Sequence, residues 1–282
     1  MRIKFPVLRI HVWGGLGSQL FGVSLAHSLK LRFPKRSLLV VLHSSGVTRR
    51  EPEVMRLFPE LNFVNVDDFA GRARHDSGSQ KRSFDFLSRR MVRTILLFSG
   101  FLAEENSNNR HRARFWTLAI RGHYFHRHVS PDFLNLLSDR LDSFVKSNFE
   151  EIQNEITLHY RLGDLIKLSN KSFVDPERIC STLVLLGESN KVSVFSDTPD
   201  FAISLLGRGD SGKSLRLVNL PTVETIYFAS KGAAFVGTSS KISYWIILLR
   251  VTKSKTSINY LPIEDEPAIT LLQGVSSGVC FY

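Results

Sequence analysis

The chain has 282 residues, 43% of them hydrophobic, which is enough to bury a sizeable core in one large domain or two smaller ones. No apolar run approaches the roughly 20 residues of a membrane-spanning helix, and two cysteines are too few for a disulfide framework. The formal net charge of +11 indicates an anionic partner, which could be nucleic acid, an anionic membrane surface or a phosphorylated substrate.

The positive charge is concentrated in one segment. Residues 72–127 contain 12 Lys and Arg against four acidic residues. A solvated basic face is an equal alternative to a ligand site, because charge runs usually have no specific ligand. The sequence shows no zinc-finger spacing, helix-turn-helix or aromatic RNA-binding signature, so no nucleic acid partner is expected.

Short runs rich in Val, Ile and Leu alternate along the chain with longer helical patterns. The predicted strands are residues 7–13, 37–42, 155–159, 191–195, 215–218 and 233–236. The predicted helices are residues 19–32, 131–149, 175–186, 199–206, 223–230 and 242–250. This alternation predicts an α/β fold with parallel sheets flanked by helices. A polar stretch near residue 150 predicts a boundary between domains 1–150 and 151–282, while residues 67–109 lack strand signals.

The first predicted strand runs into a glycine-rich turn, HVWGGLGSQLFG, at residues 11–22. A strand, a glycine-rich loop and a helix together can receive phosphate on backbone amides and a helix N-terminus. Ser18 and Gln19 follow Gly17 where a Walker loop needs Lys and Ser or Thr, which excludes a standard P-loop. Leu20 replaces the third glycine of a dinucleotide fingerprint, which disfavours NAD. A tight turn for close helix–strand packing is the alternative.

A second motif, EITLHYRLGDL at residues 155–165, brings His159, Arg161 and Asp164 to the carboxyl end of a predicted strand. Open α/β sheets bind ligands at that edge. Arginine can hold phosphate oxygens in a bidentate manner, and neutral histidine can both donate and accept hydrogen bonds. Asp164 could pair with Arg161 and hold it in place. The alternative is a surface ion pair at a strand end.

Two more motifs each follow a predicted strand and open a predicted helix, VFSDTPDF at residues 194–201 and FVGTSSKISYW at residues 235–245. Their helix-capping candidates are Asp197, Thr198, Thr238, Ser239 and Ser240. Capping alone could explain these residues. A hydroxyl-rich turn before a helix is also a suitable seat for pyrophosphate.

In order and spacing, these four stretches resemble glycosyltransferase family 11, the α-1,2-fucosyltransferases, over residues 7–250. The matching residues are Gly14, Gly15, Leu16, Gly17, Gln19, Leu20 and Phe21 for the GGLGNQLF-type turn, His159, Arg161, Gly163 and Asp164 for the HxRRGDY-type strand end, Phe195, Ser196, Asp197 and Pro199 for the FSDDP-like segment, and Ser240, Ser243 and Trp245 for the NSxFSWW-like segment. The chain departs from the pattern at Ser18, Leu162, Leu165 and Ile246, among others.

The resemblance implies a GT-B-like architecture of two Rossmann-like domains, with the nucleotide sugar on the C-terminal domain and the acceptor side on the N-terminal domain. It implies inverting transfer of L-fucose from GDP-β-L-fucose to a sugar hydroxyl of a glycan, with no metal ion or other cofactor. Since GDP leaves with negative charge, Arg161 is expected to stabilise that charge, with Asp164 as the second catalytic residue. No general base is singled out.

The resemblance also implies a donor-binding set, which consists of His159, Asp197, Ser239, Ser240, Ser243, Gly14, Gly15, Gly17 and Gln19. The expected partners are a nucleotide sugar and a glycan acceptor, free or lipid-linked. The expected location is the cytoplasm, with the basic segment against the inner face of an anionic bacterial membrane. Two acidic clusters, at residues 67–68 and 264–266, are expected to be solvated. The alternatives are a transferase for another nucleotide sugar and a noncatalytic protein that binds carbohydrate or nucleotide.

Overall fold

The computed structural model describes most of the chain as two compact units, Met1–Ser130 and Pro131–Tyr282. The described residues are 6–46, 49–68, 83–106, 109–110, 113–122, 124–125, 127–145, 150–166, 173–187, 189–207, 209, 211–253, 258–263, 272 and 278–282. Within these residues, no helix is long and apolar enough to cross a membrane.

In the described part of the N-terminal unit, six strands form one sheet. They are β1 (Leu8–Trp13), β2 (Leu38–His43), β3 (Phe63–Val66), β4 (Leu102–Asn106), β5 (Asn109–Arg110) and β6 (Ala119–Gly122). The helices are α1 (Leu16–Arg32), α2 (Val54–Leu57) and α3 (Ser83–Ser99). The sheet order is β3-β2-β1-β6-β4-β5, and every neighbouring pair is parallel except β4 with β5.

Helix α1 packs closely on β1. A Cβ atom on Gly22 would lie 2.3 Å from the Val12 Cγ2 atom, so only glycine allows this approach of helix to strand. Leu20 and Phe21 of the same helix are buried, as are Leu8 and Ile10 of the strand. The glycine-rich turn therefore joins two tightly packed elements.

The described part of the C-terminal unit contains a second six-stranded sheet, and all its strands are parallel. The strands are β7 (Ile156–His159), β8 (Lys191–Phe195), β9 (Ser214–Leu217), β10 (Ala234–Gly237), β11 (Ile258–Leu261) and β12 (Val279–Phe281). The helices are α4 (Pro131–Phe144), a short 3-10 helix (Glu150–Asn154), α5 (Gly163–Ile166), α6 (Pro176–Leu185), α7 (Pro199–Leu206), α8 (Thr222–Ala229) and α9 (Lys241–Lys253). The order β9-β8-β7-β10-β11-β12 is the doubly wound order of a Rossmann fold.

The two sheets, parallel apart from β4 with β5 and flanked by helices, confirm the predicted α/β class with two Rossmann-like domains. Helix α4 packs on α8 and α9, with the Phe133 ring 6.0 Å from the Trp245 ring, centroid to centroid. The units therefore divide after Ser130, whereas the sequence suggested residue 150. Helix α3 and strand β4 lie in the segment 67–109 that had no strand signal.

Candidate functional site

Three of the predicted motifs meet at one edge of the C-terminal sheet. They follow β7, β8 and β10, which are neighbours in the sheet and end at the same edge. From β7 the strand order runs one way through β8 and β9, and the later strands β10, β11 and β12 are added on the other side of β7. The gap between β7 and β10 is therefore the topological switch point, where α/β folds bind ligands. We call the residues His159, Arg161, Asp197, Thr238 and Ser243 the C-terminal cluster.

His159 ends β7 and is buried, with 7% of its surface exposed. Its Nδ1 atom lies 2.9 Å from the hydroxyl oxygen of Ser243, which is fully buried on α9. Burial lowers the pKa of His159 to about 4; the nearby charge of Arg161 lowers it as well, and that of Asp197 opposes the shift. His159 is therefore a neutral hydrogen-bonding group at neutral pH.

Thr238, at the end of β10, fixes the backbone that carries Arg161. The Arg161 backbone N–H donates to the Thr238 hydroxyl oxygen at 2.9 Å. The Thr238 hydroxyl in turn donates to the His159 carbonyl oxygen at 3.1 Å. Arg161 is half-buried at this edge. Thr238 did not enter the predicted donor-binding set, although its place in a hydroxyl-rich motif was the signal for it.

Asp197, after β8, holds the turn that follows Arg161. One carboxylate oxygen, Oδ1, accepts hydrogen bonds from the backbone N–H groups of Leu162 and Gly163, each at 2.9 Å. A Cβ atom on Gly163 would lie 2.2 Å from Oδ2 of the same carboxylate. The sequence had predicted a nucleotide contact for Asp197, and the structure gives this carboxylate a contact within the protein. The Asp164 backbone belongs to α5, and its side chain lies outside the described residues.

Ser239 and Ser240 precede α9. Ser239 is exposed, whereas Ser240 is buried and its hydroxyl oxygen accepts a hydrogen bond from the Ile242 N–H at 3.1 Å. Ser240 therefore caps the helix, as its position predicted. Ser239 presents a hydroxyl at the positive end of the helix dipole.

The glycine turn belongs to the N-terminal unit. Gly14 has φ +108°, a backbone conformation that favours glycine, and Gly15 caps α1 with an extended backbone. Gly17 is buried in the first turn of α1.

Gln19 supports this turn from within the protein. It is 2% exposed, and its Nε2 atom donates to the backbone carbonyls of Gly14 at 3.2 Å and Glu51 at 2.6 Å. Its Oε1 atom accepts from the Val54 N–H at 3.1 Å. Gln19 thus ties the glycine turn to the loop before α2.

A second group of polar side chains, which the sequence motifs did not reveal, lies at the carboxyl edge of the N-terminal sheet. We call His11, Trp13, His43, Asp68 and Arg121 the N-terminal cluster. Trp13 and His43 are register partners at the ends of β1 and β2, and their rings stack with centroids 4.2 Å apart. Asp68 was expected to be solvated, but it is half-buried and lies 2.8 Å from the His43 ring. The signal that could have found the group was a polar residue near the end of each predicted strand.

A cavity of about 270 Å³ opens beside this cluster. Its lining residues are Trp13, Arg93, Glu104, Arg121 and Gly122. Arg121 lies over the Trp13 indole, with its guanidinium carbon 5.1 Å from the ring centroid. Arg93 forms a bidentate ion pair with the Glu104 carboxylate. The cavity therefore combines an indole with two guanidinium groups and one carboxylate.

Within the described residues, no group of three or more His, Cys, Asp or Glu side chains could hold a metal ion. The acidic cluster at residues 264–266 lies outside the described residues. Asp67, the remaining member of the acidic pair at residues 67–68, is exposed and pairs with Arg49 at 2.8 Å.

No protein-family model matches the sequence, and no curated protein matches it either. Among solved structures, the chain is similar to the E. coli heptosyltransferase WaaC with ADP, at 9% identity over 98% of this chain and 93% of that one, with a TM-score of 0.50. It is also similar to the α-1,6-fucosyltransferase NodZ soaked with GDP-fucose, at 17% identity over 87% of this chain and 93% of that one, with a TM-score of 0.46. At such identities the similarity concerns the fold, and the WaaC match agrees with the predicted GT-B-like class.

Proposed function

We propose that this chain is an inverting glycosyltransferase that transfers L-fucose from GDP-β-L-fucose to a sugar hydroxyl of a glycan, like the α-1,2-fucosyltransferases that its motifs resemble. The observation that carries the proposal is the convergence of the C-terminal cluster. The side chains of Ser243, Thr238 and Asp197 form hydrogen bonds to the segment 159–162, from 35 to 84 residues away in sequence, at the switch point of a Rossmann-type sheet. That edge is where such sheets bind nucleotides.

Arg161 supplies the main catalytic effect in this proposal. The acceptor oxygen forms a bond to fucose C1 while the bond from C1 to the diphosphate oxygen breaks, and its electron pair leaves with GDP. A guanidinium at the diphosphate stabilises this developing charge, and a backbone fixed by Thr238 and Asp197 keeps it in place beforehand. Asp164, next to Gly163 in the turn, remains the second proposed catalytic residue.

The remaining donor contacts come from neutral groups. His159, with its pKa of about 4, offers a hydrogen bond to the nucleoside rather than a second positive charge. Ser239 offers its exposed hydroxyl to the diphosphate at the start of α9. Ser240 and Ser243 hold the α9 cap and the His159 ring in position.

The glycine turn of the N-terminal unit has a different proposed role. Gly14, Gly15 and Gly17 allow a sugar substrate to approach the backbone, while Gln19 keeps the turn in its conformation. Gly15 has space for this approach, because the nearest atom to a Cβ there would be an Arg50 nitrogen at 3.9 Å.

The test is a calorimetric titration of GDP, GDP-fucose and UDP into the wild type, Arg161→Ala and Lys191→Ala. Lys191 is an exposed cation at the opposite end of the same sheet, so its variant controls for loss of charge. We expect guanine ligands to bind in preference to UDP, and Arg161→Ala to weaken GDP by about 10- to 100-fold, since a hydrogen bond to a charged group contributes ~1.5–3 kcal/mol. Lys191→Ala should bind as the wild type does.

The other outcomes separate the alternatives. Preference for UDP would indicate another nucleotide sugar. Tight GDP-fucose binding without release of fucose or its transfer would indicate a noncatalytic binding protein. No nucleotide binding by the folded wild type, or equal GDP binding by Arg161→Ala, would contradict the proposed donor site.

We further propose that the N-terminal unit contacts an anionic membrane, where a lipid-linked acceptor would lie. Helix α3 exposes large apolar side chains, which include Met91, Ile95 and Phe98, the last with 87% of its surface accessible. The same helix carries the exposed Arg90 and Arg93, in the segment with the largest positive excess. Apolar and cationic side chains on one exposed helix are typical of binding at an anionic lipid interface.

Sedimentation with vesicles tests this contact. We expect the wild type to bind vesicles of phosphatidylglycerol and phosphatidylcholine, and to bind vesicles of pure phosphatidylcholine about tenfold less tightly. The Phe98→Ser variant should lose binding to both. Leu185→Ser, which removes a leucine of α6 that is 74% exposed, is the matched control and should bind normally. Equal binding by Phe98→Ser and the wild type would contradict the contact.

A further inference from the structure

Arg121 is the arginine of the N-terminal cluster, and the Trp13 indole holds its side chain at the carboxyl edge of the N-terminal sheet. Strand β1 lies between β2 and β6. From β2, the His43 ring stacks on the Trp13 indole, with 12° between the ring planes. From β6, the Arg121 guanidinium lies over the same indole. Trp13 is therefore a platform between a histidine on one neighbouring strand and an arginine on the other.

The hydrogen-bond donors of Arg121 remain available to a ligand. A cation–π contact with an indole is made through the ring face, and it does not use the N–H groups of the guanidinium as donors to oxygen. Within the described residues, no carboxylate or carbonyl oxygen accepts a hydrogen bond from Arg121, which is exposed and lines the cavity of about 270 Å³. The indole thus orients the guanidinium before a ligand arrives, which lowers the entropy cost of binding.

Glu104 does not neutralise Arg121, although the two residues are register partners in β4 and β6. Both of its carboxylate oxygens accept hydrogen bonds from Arg93 on α3. The Glu104 side chain is largely buried, and both members of this ion pair line the same cavity. Because Arg93 and Glu104 compensate each other, the lining keeps one positive charge, which is that of Arg121.

This single charge favours a carboxylate over a phosphate. A phosphate monoester carries ~1.5–2 negative charges at pH 7, and the second charge would lie near Glu104 with no cation to match it. A carboxylate carries one negative charge, and its two oxygens fit the planar fork of one arginine. The cavity is therefore matched to one carboxylate in both charge and geometry.

The size and the lining of the cavity favour a sugar ring as the carrier of that carboxylate. Its volume of about 270 Å³ lies below the ~300–1,000 Å³ of sites for drug-sized ligands, so it suits one ring rather than a nucleotide. The Trp13 indole offers apolar surface to the ring. The Glu104 oxygens and the Arg93 N–H groups offer partners for sugar hydroxyls.

We infer that this cavity binds a hexuronate whose carboxylate pairs with Arg121, so that the glycan recognised by the N-terminal unit is acidic. The choice of a sugar as the carrier rests on the proposed function, whereas the cavity itself lies wholly within the N-terminal unit. Binding at this site requires no contact with the donor cluster, and it can be measured without a nucleotide.

The test is the binding of D-glucuronate and D-galacturonate, measured by ligand-observed NMR in the absence of nucleotide. Their methyl esters are the matched ligands, because esterification removes the charge and keeps the sugar ring. Inorganic phosphate is the competing anion. The variants are Arg121→Gln and, as the control, Arg32→Gln. Arg32 is an exposed arginine of α1 whose guanidinium carbon lies 5.0 Å from the Phe33 ring centroid, so it is also an arginine over an aromatic ring, but outside the cavity.

We expect at least one uronate to bind the wild type about tenfold more tightly than its methyl ester, because the ester cannot make the charge-assisted hydrogen bonds to Arg121. Arg121→Gln should weaken that uronate about tenfold and leave its ester unchanged, whereas a purely structural role would weaken both ligands. Arg32→Gln should bind as the wild type does. Phosphate should displace the uronate only at about tenfold higher concentration than the uronate itself requires.

The outcomes separate this site from the proposed transferase. A folded wild type that binds GDP but neither uronate, or that binds the esters as tightly as the acids, would overturn the acidic-sugar site and leave the transferase. Equal uronate binding by Arg121→Gln, or tighter binding of phosphate, would overturn it as well. If a uronate binds as expected and GDP does not, the donor site fails, and the cavity belongs to the noncatalytic carbohydrate-binding alternative.

Discussion

The two sheets carry a histidine at equivalent places but surround it differently. His11 lies near the carboxyl end of β1, and His159 ends β7, each being the first strand of its Rossmann-type sheet. Burial lowers the pKa of both to about 4. His159 bonds to the neutral hydroxyl of Ser243, whereas His11 bonds to His43 and through it to a carboxylate.

This difference shows that a low histidine pKa does not identify a role. The low pKa of His159 keeps a neutral hydrogen-bonding ring beside the proposed nucleotide. His11 has the same low pKa, but its ring bonds to His43, which in turn bonds to Asp68. The contacts of each histidine, and not its pKa, distinguish the two. The contrast can be tested by the pH dependence of unfolding and by substitutions that add a side-chain atom at a glycine.

The largest expected effect concerns the pH dependence of stability. Unfolded histidine has its ordinary pKa near 6.5, while folded His159 has a pKa of about 4, so the unfolded chain takes up protons first as the pH falls. Stability is therefore complete above about pH 6.5 and decreases as the pH falls towards 4, by up to about 3 kcal/mol from this group. Urea unfolding at pH 7 and pH 5 measures the decrease.

His159→Gln should remove most of that decrease, because glutamine keeps a hydrogen-bonding group near Ser243 but does not titrate. His11→Gln should remove less, since His11 is only half-buried and solvent screens part of its interactions, whereas His159 is buried. The contrast between the two sheets would be lost if His11→Gln removed as much of the pH dependence as His159→Gln, or if neither variant changed it.

The fold was largely predictable from hydrophobic alternation, and its gaps have physical reasons. The predicted strand 191–195 and helix 199–206 coincide with β8 and α7. Strands β3 and β12 went unrecognised because they have only four and three residues, with exposed or half-buried side chains in place of a buried run. Such strands are defined by their pairing with neighbours, which a local pattern does not contain.

The proposed site was predictable where its residues are neighbours in sequence. Strand-end motifs indicated Arg161 and Asp197, but not that Asp197 binds the backbone after Arg161, because that contact crosses 34 and 35 residues. The hydrogen-bonded contacts of His43 with His11 and Asp68 were not predicted, for the same reason. His11, His43 and Asp68 are separated by 32 and 25 residues, and the register of β1 on β2 brings the two histidines together.

The smallest expected effect concerns the two glycines that begin the helices after β1 and β7. A Cβ atom at Gly163 would lie 2.2 Å from the Asp197 carboxylate, whereas one at Gly15 would have its nearest neighbour at 3.9 Å. Gly163→Ala should displace the carboxylate from the N–H groups of Leu162 and Gly163. We expect a loss of about 2 kcal/mol in the free energy of unfolding, as for polar groups left without partners.

Gly15→Ala should change the free energy of unfolding by less than about 0.5 kcal/mol, as a substitution in open space does. Urea unfolding of both variants measures this difference, and titration with GDP measures its consequence. Because the displaced turn carries Arg161, Gly163→Ala should also weaken GDP about tenfold. Equal stability of the two variants would mean that Asp197 does not hold this turn. A Gly163→Ala variant that is destabilised but binds GDP normally would show that Asp197 stabilises the turn but that the turn does not contribute to nucleotide binding.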